Sequence, residues 1–164
     1  MNQTTAQTER PRGSTVEHSI DIAVPAEFIW SMLEDVDSWS TWNPIYRRAS
    51  GSIGLGDRLR MNVALPGMKP QDVSATVSRA IPNARLHYVS PALGGLIRAN
   101  RFVEIVPSGP RSCVVTNGEA MGGLVGRLLA RSVGPKVRDG LQQMNEGLKR
   151  AAEAKWRESA AGAI

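Results

Sequence analysis

Several residue types that carry chemistry are scarce in this chain of 164 residues. A single cysteine, Cys113, excludes an intrachain disulfide and a cysteine-cluster metal site. It lies in an apolar strand pattern, which favours a small core residue over a nucleophile. There are two histidines, His18 and His87, and no recognisable Ser/His/Asp set, so a hydrolase triad is unsupported. Histidines and carboxylates never cluster at metal-ligand spacing, and we expect neither a metal nor a cofactor.

Long apolar runs and long basic runs are missing as well. Without an apolar stretch of about 18 residues, no transmembrane segment is predicted. The polar start of the chain, 1–14, lacks the apolar centre of a signal peptide, so we expect a cytoplasmic protein. The net charge of +5 raises the question of nucleic acid. The basic residues are scattered and not interleaved with aromatics, so no nucleic-acid role is expected, and the oligomeric state is not readable.

One long amphipathic helix is predicted near the C-terminus, over residues 135–156. Its apolar residues recur every three or four positions and form a stripe, and its charged side chains lie outside this stripe. Pro135 suits the first position of a helix, and we expect Gly134 and Pro135 to separate it from a short helix over 122–132. The stripe consists of Val137, Leu141, Met144, Leu148 and Ala151 or Ala152.

Seven strands are predicted from alternating apolar and polar residues. The first covers 15–24, and two short helices over 26–33 and 38–42 follow it. The other six strands come in succession at 47–53, 58–65, around 73–77, 85–89, 97–106 and 112–121. Successive strands joined by turns imply an antiparallel sheet, and a twisted sheet of this length curls. One helix cannot fill the mouth of such a sheet, so we expect a cavity between them.

These elements form one α+β domain over 15–157. The residues before it, 1–14, show no periodicity and are expected to be a disordered tail. The small residues of 158–164 are expected to be a frayed tail. The loops at 66–70 and 91–95 are the candidate gates of the cavity.

Six segments, in this order along the chain, resemble the START-like (SRPBCC) helix-grip superfamily. Its polyketide cyclase/dehydrase-like and lipid-binding branches are the most similar. The segments are PAEFIW at 25–30, DSWSTWNP at 37–44, GDRLR at 56–60, NARLHY at 83–88, EAMG at 119–122 and MNEGLK at 144–149. The resemblance implies a helix-grip fold, with a curved seven-stranded antiparallel sheet around a long C-terminal helix and two short helices after the first strand. Many relatives carry a histidine in the sixth strand shortly before an aromatic residue. Here that stretch reads Ala99-Asn100-Arg101-Phe102, so no role of that histidine transfers.

The resemblance also implies that the first and last strands pair antiparallel, which brings His18 near Asn117 and Glu119. A carboxylate beside an imidazole in an apolar cavity has shifted pKa values and can move protons. The alternative is that His18 lies at the wet end of the sheet and that Glu119 anchors the junction between sheet and helix.

Tyr88 and Arg101 complete the candidate catalytic set of His18, Glu119, Tyr88 and Arg101. Tyr88 offers a hydroxyl, and Arg101 is in register with Val103 and can point inward toward a carbonyl or carboxylate. A bulge would instead turn Phe102 inward, and the sequence leaves this open. The expected cavity walls are Trp42, Met61, Val63, Val77, Tyr88, Val103, Asn117, Met121, Leu141 and Met144.

Three functions fit these expectations. The first is binding of a hydrophobic small molecule, such as a lipid, a polyketide or an aromatic compound, in the internal cavity. The second is a polyketide cyclase/dehydratase-like enzyme that uses the same cavity and moves protons with the candidate catalytic residues. The third is an interaction or stress-response module with a mostly filled interior. A fold of this kind does not by itself decide between them.

Overall fold

A computed structural model describes residues 14–92, 97–122 and 125–162. The strands are β1 Ser14–Ile22, β2 Tyr46–Gly51, β3 Arg58–Val63, β4 Gln71–Ile81, β5 Arg85–Ala92, β6 Ile97–Gly109 and β7 Ser112–Gly122. The helices are α1 Ala26–Glu34, α2 Trp39–Trp42 with a 3-10 turn before it at Val36–Ser38, and α3 Gly126–Ala161. No helix in these ranges is both long enough and apolar enough to cross a membrane.

The seven strands form one curved antiparallel sheet in the order β1-β7-β6-β5-β4-β3-β2. Strands β2 to β7 pair with their neighbours along the chain, while β1 returns to pair with β7. Irregularities interrupt the register after Tyr46, Val77 and Pro107, and such bulges increase the local bend of a sheet. The predicted seven strands, their antiparallel order and the helix-grip fold are confirmed.

The long helix α3 lies along the inner face of the sheet, where it packs chiefly against β1 and β7. Its predicted apolar stripe is buried from Val137 to Ala152, with Leu141 and Leu148 fully enclosed. The stripe therefore faces the sheet, as its spacing predicts.

The predicted break at Gly134 and Pro135 is wrong, because α3 runs through Pro135 without ending. A proline inside a helix removes one backbone hydrogen bond and crowds the preceding turn. Here Val133 before the proline and Val137 after it pack on the same cluster around Val16 of β1. Burial on both sides of Pro135 thus holds the helix together across it.

The C-terminal end of α3 extends further than we predicted, to Ala161. Trp156 packs edge-on against Phe28 of α1, with ring centroids 5.2 Å apart. One turn earlier, a carboxylate oxygen of Glu153 accepts a hydrogen bond from the backbone N–H of Ala23, at 3.0 Å. The helix therefore includes residues 158–161 of the predicted frayed tail. The predicted N-terminal tail lies outside the described residues except for Ser14, which begins β1.

The short helices α1 and α2 pack against α3. Gly147 of α3 lies so close to the backbone carbonyl of Trp42 that a side chain at this position would collide with it. Trp39 is buried, donates its indole N–H to the carbonyl of Leu33 at 3.1 Å, and stacks on Tyr46. The two tryptophans of α2 therefore fill the interior beside the middle of α3.

Candidate functional site

The space between the middle of α3 and the sheet is almost completely filled. The remaining gap has a volume of about 10 Å³, which is about the least that holds one water molecule. Five of the predicted cavity walls border this gap, namely Trp42, Tyr88, Val103, Asn117 and Met144. Their side chains leave no room for a ligand between them, so this region forms core instead of a ligand site.

A larger cavity, of about 150 Å³, opens toward the end of the sheet where β3 turns into β4. Two residues of the predicted gate at 66–70, Met68 and Lys69, line it. The predicted gate at 91–95 lies mostly outside the described residues. We call this opening the end cavity. Its described walls are Tyr46, Met61, Val63, Leu65, Met68, Lys69, Gln71, Val73, Tyr88, Ser90, Ala99, Arg101 and Glu119.

The predicted site residues divide between the end cavity and the core. Tyr88, Arg101 and Glu119 of the candidate catalytic set line the end cavity, as do the predicted walls Met61 and Val63. The predicted walls Val77, Met121 and Leu141 are instead buried in the hydrophobic core and are not among the residues that line it. Val77 lies at the bulge of β4, Met121 in β7 and Leu141 on the buried side of α3, and neighbouring side chains cover all three.

His18 lies opposite Asn117 in the register of β1 and β7, as predicted. Its imidazole Nδ1 and its backbone carbonyl both contact the side-chain amide of Asn145, at 2.9 and 2.8 Å. Asn145 in turn accepts a hydrogen bond from the Asn117 amide at 2.5 Å. This His18–Asn117–Asn145 cluster joins α3 to the sheet, and His18 is not among the residues that line the end cavity.

Four polar side chains meet at the inner wall of the end cavity. Tyr88, Arg101 and Glu119 stand side by side, because the register pairs Tyr88 with Arg101 and Arg101 with Glu119. The hydroxyls of Tyr88 and Tyr46 form a buried hydrogen bond of 2.8 Å. Arg101 Nη1 contacts Glu119 Oε2 at 3.4 Å, and Arg101 Nη2 contacts the sulfur of Met144 at 3.4 Å. We call Tyr46, Tyr88, Arg101 and Glu119 the polar wall.

The environment fixes the charge states at this wall. Burial raises the pKa of Tyr46 well above its ordinary value, although the positive charge of Arg101 opposes the shift. Burial disfavours the charged form of Arg101, but the phenols of Tyr46 and Tyr88 and the Glu119 carboxylate raise its pKa above the usual range. Tyr46 is therefore a neutral hydroxyl and Arg101 a permanent cation.

Arg101 points into the end cavity, and Phe102 faces the opposite side of the sheet. The register of β6 is regular across this pair, so neighbouring side chains alternate between faces. On the far side, the ring of Phe102 lies over Gly118, where any side chain would occupy the same space. The inward orientation, which the sequence left open, thus depends on a glycine in the neighbouring strand.

Tyr46 and Lys69 are functional candidates that sequence reasoning missed. The bulge after Tyr46 shifts the alternation of β2, so the pattern of the strand does not predict the inward orientation of this side chain. Lys69 is exposed in the β3–β4 loop, and loop sequence gives no signal for which cavity it borders. Gly118, opposite Phe102, could have been recognised from the sequence, because a glycine inside a strand often marks a position where another group comes close to the backbone.

The polar wall can donate hydrogen bonds, stabilise a negative charge and offer one carboxylate as a base. The remaining walls are mostly aliphatic side chains and methionines, which adapt to the shape of an apolar guest. Among the described residues, no three His, Cys, Asp or Glu side chains gather closely enough to hold a metal ion.

The fold is similar to several solved structures. A protein of Thermus thermophilus matches with a TM-score of 0.70 at 18% identity, covering 87% of this chain and 99% of that chain. A START superfamily protein of Mycobacterium smegmatis matches with a TM-score of 0.63 at 20% identity, covering 89% and 99%. Norcoclaurine synthase of Thalictrum flavum, solved with dopamine and hydroxybenzaldehyde, matches with a TM-score of 0.65 at 17% identity, covering 84% and 85%.

These identities are low, so the likeness to the solved structures extends to the fold alone. No curated protein sequence matches this chain significantly. The model of one protein family, described as polyketide cyclase / dehydrase and lipid transport, matches residues 14–153. That stretch contains all seven strands, the short helices and most of α3. The chain belongs to the polyketide cyclase / dehydrase and lipid transport family.

Proposed function

We propose that this protein binds a small hydrophobic molecule with a ring in the end cavity, between the sheet and α3. The observation that supports this most directly is an opening of about 150 Å³ with largely apolar walls and one cluster of polar groups. An apolar cavity of roughly this volume holds a benzene-sized molecule. Small-molecule sites commonly combine apolar walls with a few polar groups that orient the ligand.

The family and the structural neighbours agree with this proposal. The family description includes lipid transport as well as polyketide cyclisation, and both concern hydrophobic molecules. Dopamine and hydroxybenzaldehyde, which accompany norcoclaurine synthase in its structure, each contain a single aromatic ring. A ligand larger than one ring extends past the Met68 and Lys69 side of the end cavity.

Filling the end cavity tests the proposal. Ala99 lines the cavity, so the ring in Ala99→Phe occupies the space that a ligand needs. Ser74→Phe adds the same ring at an exposed position of β4 and is the matched control. Binding of benzyl alcohol, followed by the NMR shifts of the methionine methyl groups, is expected in the wild type and in Ser74→Phe.

The same titration is expected to give no saturable shifts in Ala99→Phe. The proposal is overturned if neither benzyl alcohol nor its carboxylate analogue benzoate binds the wild type. It is overturned as well if Ala99→Phe, folded by its NMR spectrum, binds as tightly as the wild type.

A polyketide cyclase/dehydratase-like activity is the second candidate, and the polar wall favours it. Cyclisation of a poly-β-ketone begins with loss of a proton from a carbon between two carbonyls. We propose Glu119 as the base for this proton, with Arg101 and Tyr88 stabilising the negative charge that develops on the carbonyl oxygen. The test is turnover of a poly-β-ketone thioester by the wild type, Glu119→Gln and Tyr88→Phe. Equal rates in all three proteins would exclude these roles.

A further inference from the structure

We infer that the end cavity takes a carboxylate-bearing molecule with a single ring, whose carboxylate is bound by Arg101. The inference rests on the proposed binding function and names the ligand class. It is carried by a buried guanidinium that borders the end cavity and has weak partners within the protein.

Arg101 is a buried cation whose hydrogen-bonding capacity is only partly used. It is 7% exposed, and a guanidinium carries five N–H donors that need acceptors once buried. Its contact with Glu119 is 3.4 Å long, well beyond the 2.7–2.9 Å of a strong charged hydrogen bond. Its second contact is with the thioether of Met144, a weak acceptor, and Nε has no hydrogen-bond partner among the described residues.

Such a cation is costly to bury without strong acceptors. A carboxylate matches the planar guanidinium with two oxygens and accepts two parallel hydrogen bonds. Arg101 lines the end cavity, so a ligand carboxylate bound there lies beside the guanidinium. The incomplete pairing therefore favours an anionic head group at this position.

The neighbouring groups favour the same head group. The phenols of Tyr46 and Tyr88 hold two protons, and the hydrogen bond between them uses one. The other proton is available to a ligand oxygen. The charged side chains among the described walls are Lys69, Arg101 and Glu119, two positive and one negative, which leaves one positive charge for one carboxylate.

The volume limits the rest of the molecule. An opening of about 150 Å³ is smaller than the roughly 300–1,000 Å³ of sites for drug-sized ligands. One ring and a carboxylate fill it, whereas a long acyl chain or a fused ring system does not fit inside. The apolar part then lies against Met61, Val63 and Val73.

The experiment compares benzoate with benzyl alcohol, a neutral molecule of similar shape, by calorimetric titration of the full chain. In the wild type, benzoate is expected to bind more tightly than benzyl alcohol. Arg101→Met keeps an apolar stem and removes the charge. It is expected to lower the ratio of benzoate affinity to benzyl alcohol affinity roughly 10- to 100-fold, because hydrogen bonds to charged groups are strong.

Glu119→Gln separates ligand binding from a structural role. It removes a carboxylate that competes for Arg101 and repels a bound anion, so benzoate binding is expected to become tighter. A role of the Arg101–Glu119 pair in folding alone predicts no gain. The matched control is Arg85→Met, because Arg85 pairs with Glu104 at 3.5 Å with similar partial exposure and is not among the cavity walls.

The possible outcomes distinguish this inference from the proposed function. If neither molecule binds, the proposed function itself fails. If benzyl alcohol binds as tightly as benzoate, or Arg101→Met leaves their ratio unchanged, the cavity binds ligands but the carboxylate preference is wrong. Should Arg101→Met not fold, Glu119→Gln decides, and equal or weaker benzoate binding in that variant overturns the inference.

Discussion

Near β1 and β7, the inner face of the sheet is packed solid against α3, with Leu141 and Leu148 fully enclosed and Asn145 hydrogen-bonded across the interface. Toward the β3–β4 loop, the same face leaves about 150 Å³ open and carries a buried cation with weak partners. The packed region has little room and is tied together by the hydrogen bonds of Asn145, whereas the open region has room and a buried cation whose contacts are long or weak. We therefore expect the first region to contribute most of the stability, and the second is the region that we propose for ligand binding.

The same truncation at both ends of this interior should have very different costs. Leu148→Ala empties a fully packed position of α3 and is expected to lower the free energy of unfolding by about 2–5 kcal/mol. Leu65→Ala removes a half-buried side chain that borders the end cavity, and is expected to cost less than half as much. Urea unfolding measures both variants. Equal losses would contradict the division into a packed and an open region.

Removal of polar groups should repeat this difference on a smaller scale. Asn145→Leu leaves the carbonyl of His18 and the amide of Asn117 without their partner in the core. The expected loss of stability is about 1–3 kcal/mol. Tyr88→Phe removes one hydroxyl beside open space and is expected to cost about 1 kcal/mol or less. A larger loss of stability in Tyr88→Phe than in Asn145→Leu would contradict this expectation. It would mean that the hydrogen bonds that stabilise the fold lie at the end cavity and not in the packed region.

Acid should lower the stability of the protein through His87, on the side of the sheet opposite the end cavity. His87 lies between Leu86 and Tyr88 in β5 and faces the opposite side of the sheet. Burial lowers its pKa from 6.5 to about 4, and repulsion from Arg85 and Arg79 adds to the shift. The unfolded chain therefore binds a proton between pH 6.5 and 4 that the folded protein does not bind. The contribution of neutral His87 to the free energy of unfolding should be fully present above pH 6.5 and should fall as the pH drops toward 4.

The control for the acid effect is His87→Leu, which cannot take up this proton. Urea unfolding at several pH values should show a shallower loss of stability for this variant between pH 6.5 and 4 than for the wild type. Parallel curves for the two proteins would exclude His87 as a source of the acid sensitivity.

The smallest effect is expected at the solvent-exposed end of the packed region. Lys149 donates a hydrogen bond to the carbonyl of Asp21 at 2.6 Å and pairs with Glu153 at 3.4 Å. Its side chain is 39% exposed, so water screens the charge. Lys149→Met is expected to cost about 0.2–1 kcal/mol by urea unfolding. A loss as large as that of Asn145→Leu would mean that the exposed contacts hold α3 as strongly as the buried ones.

Most of the fold was predictable because it follows from local periodicity. Alternation located all seven strands, and the spacing from Val137 to Ala152 located the buried side of α3. The continuity of α3 was not predictable in this way. The local effect of Pro135 is outweighed by Val133 and Val137, which pack on β1, a strand more than a hundred residues earlier in the chain.

The site was predictable only in part. The inward positions of Tyr88, Arg101 and Glu119 follow from strand register, which sequence patterns approximate. The location of the open space does not follow from strand register, because it depends on which large side chains from other elements pack into the interior. Trp39 and Trp42 of α2 fill the middle of the interior, and the bulge after Tyr46 brings a phenol to the polar wall.

Either of the Tyr46 and Tyr88 hydroxyls can be the donor of the hydrogen bond between them. When the two phenols exchange roles, the free proton of the pair moves from one hydroxyl to the other, and no heavy atom moves. A ketone and an alcohol are then equally good guests at this point. For the ligands that we propose, discrimination is therefore expected to come from the charges of Arg101 and Glu119 and from the shape of the cavity.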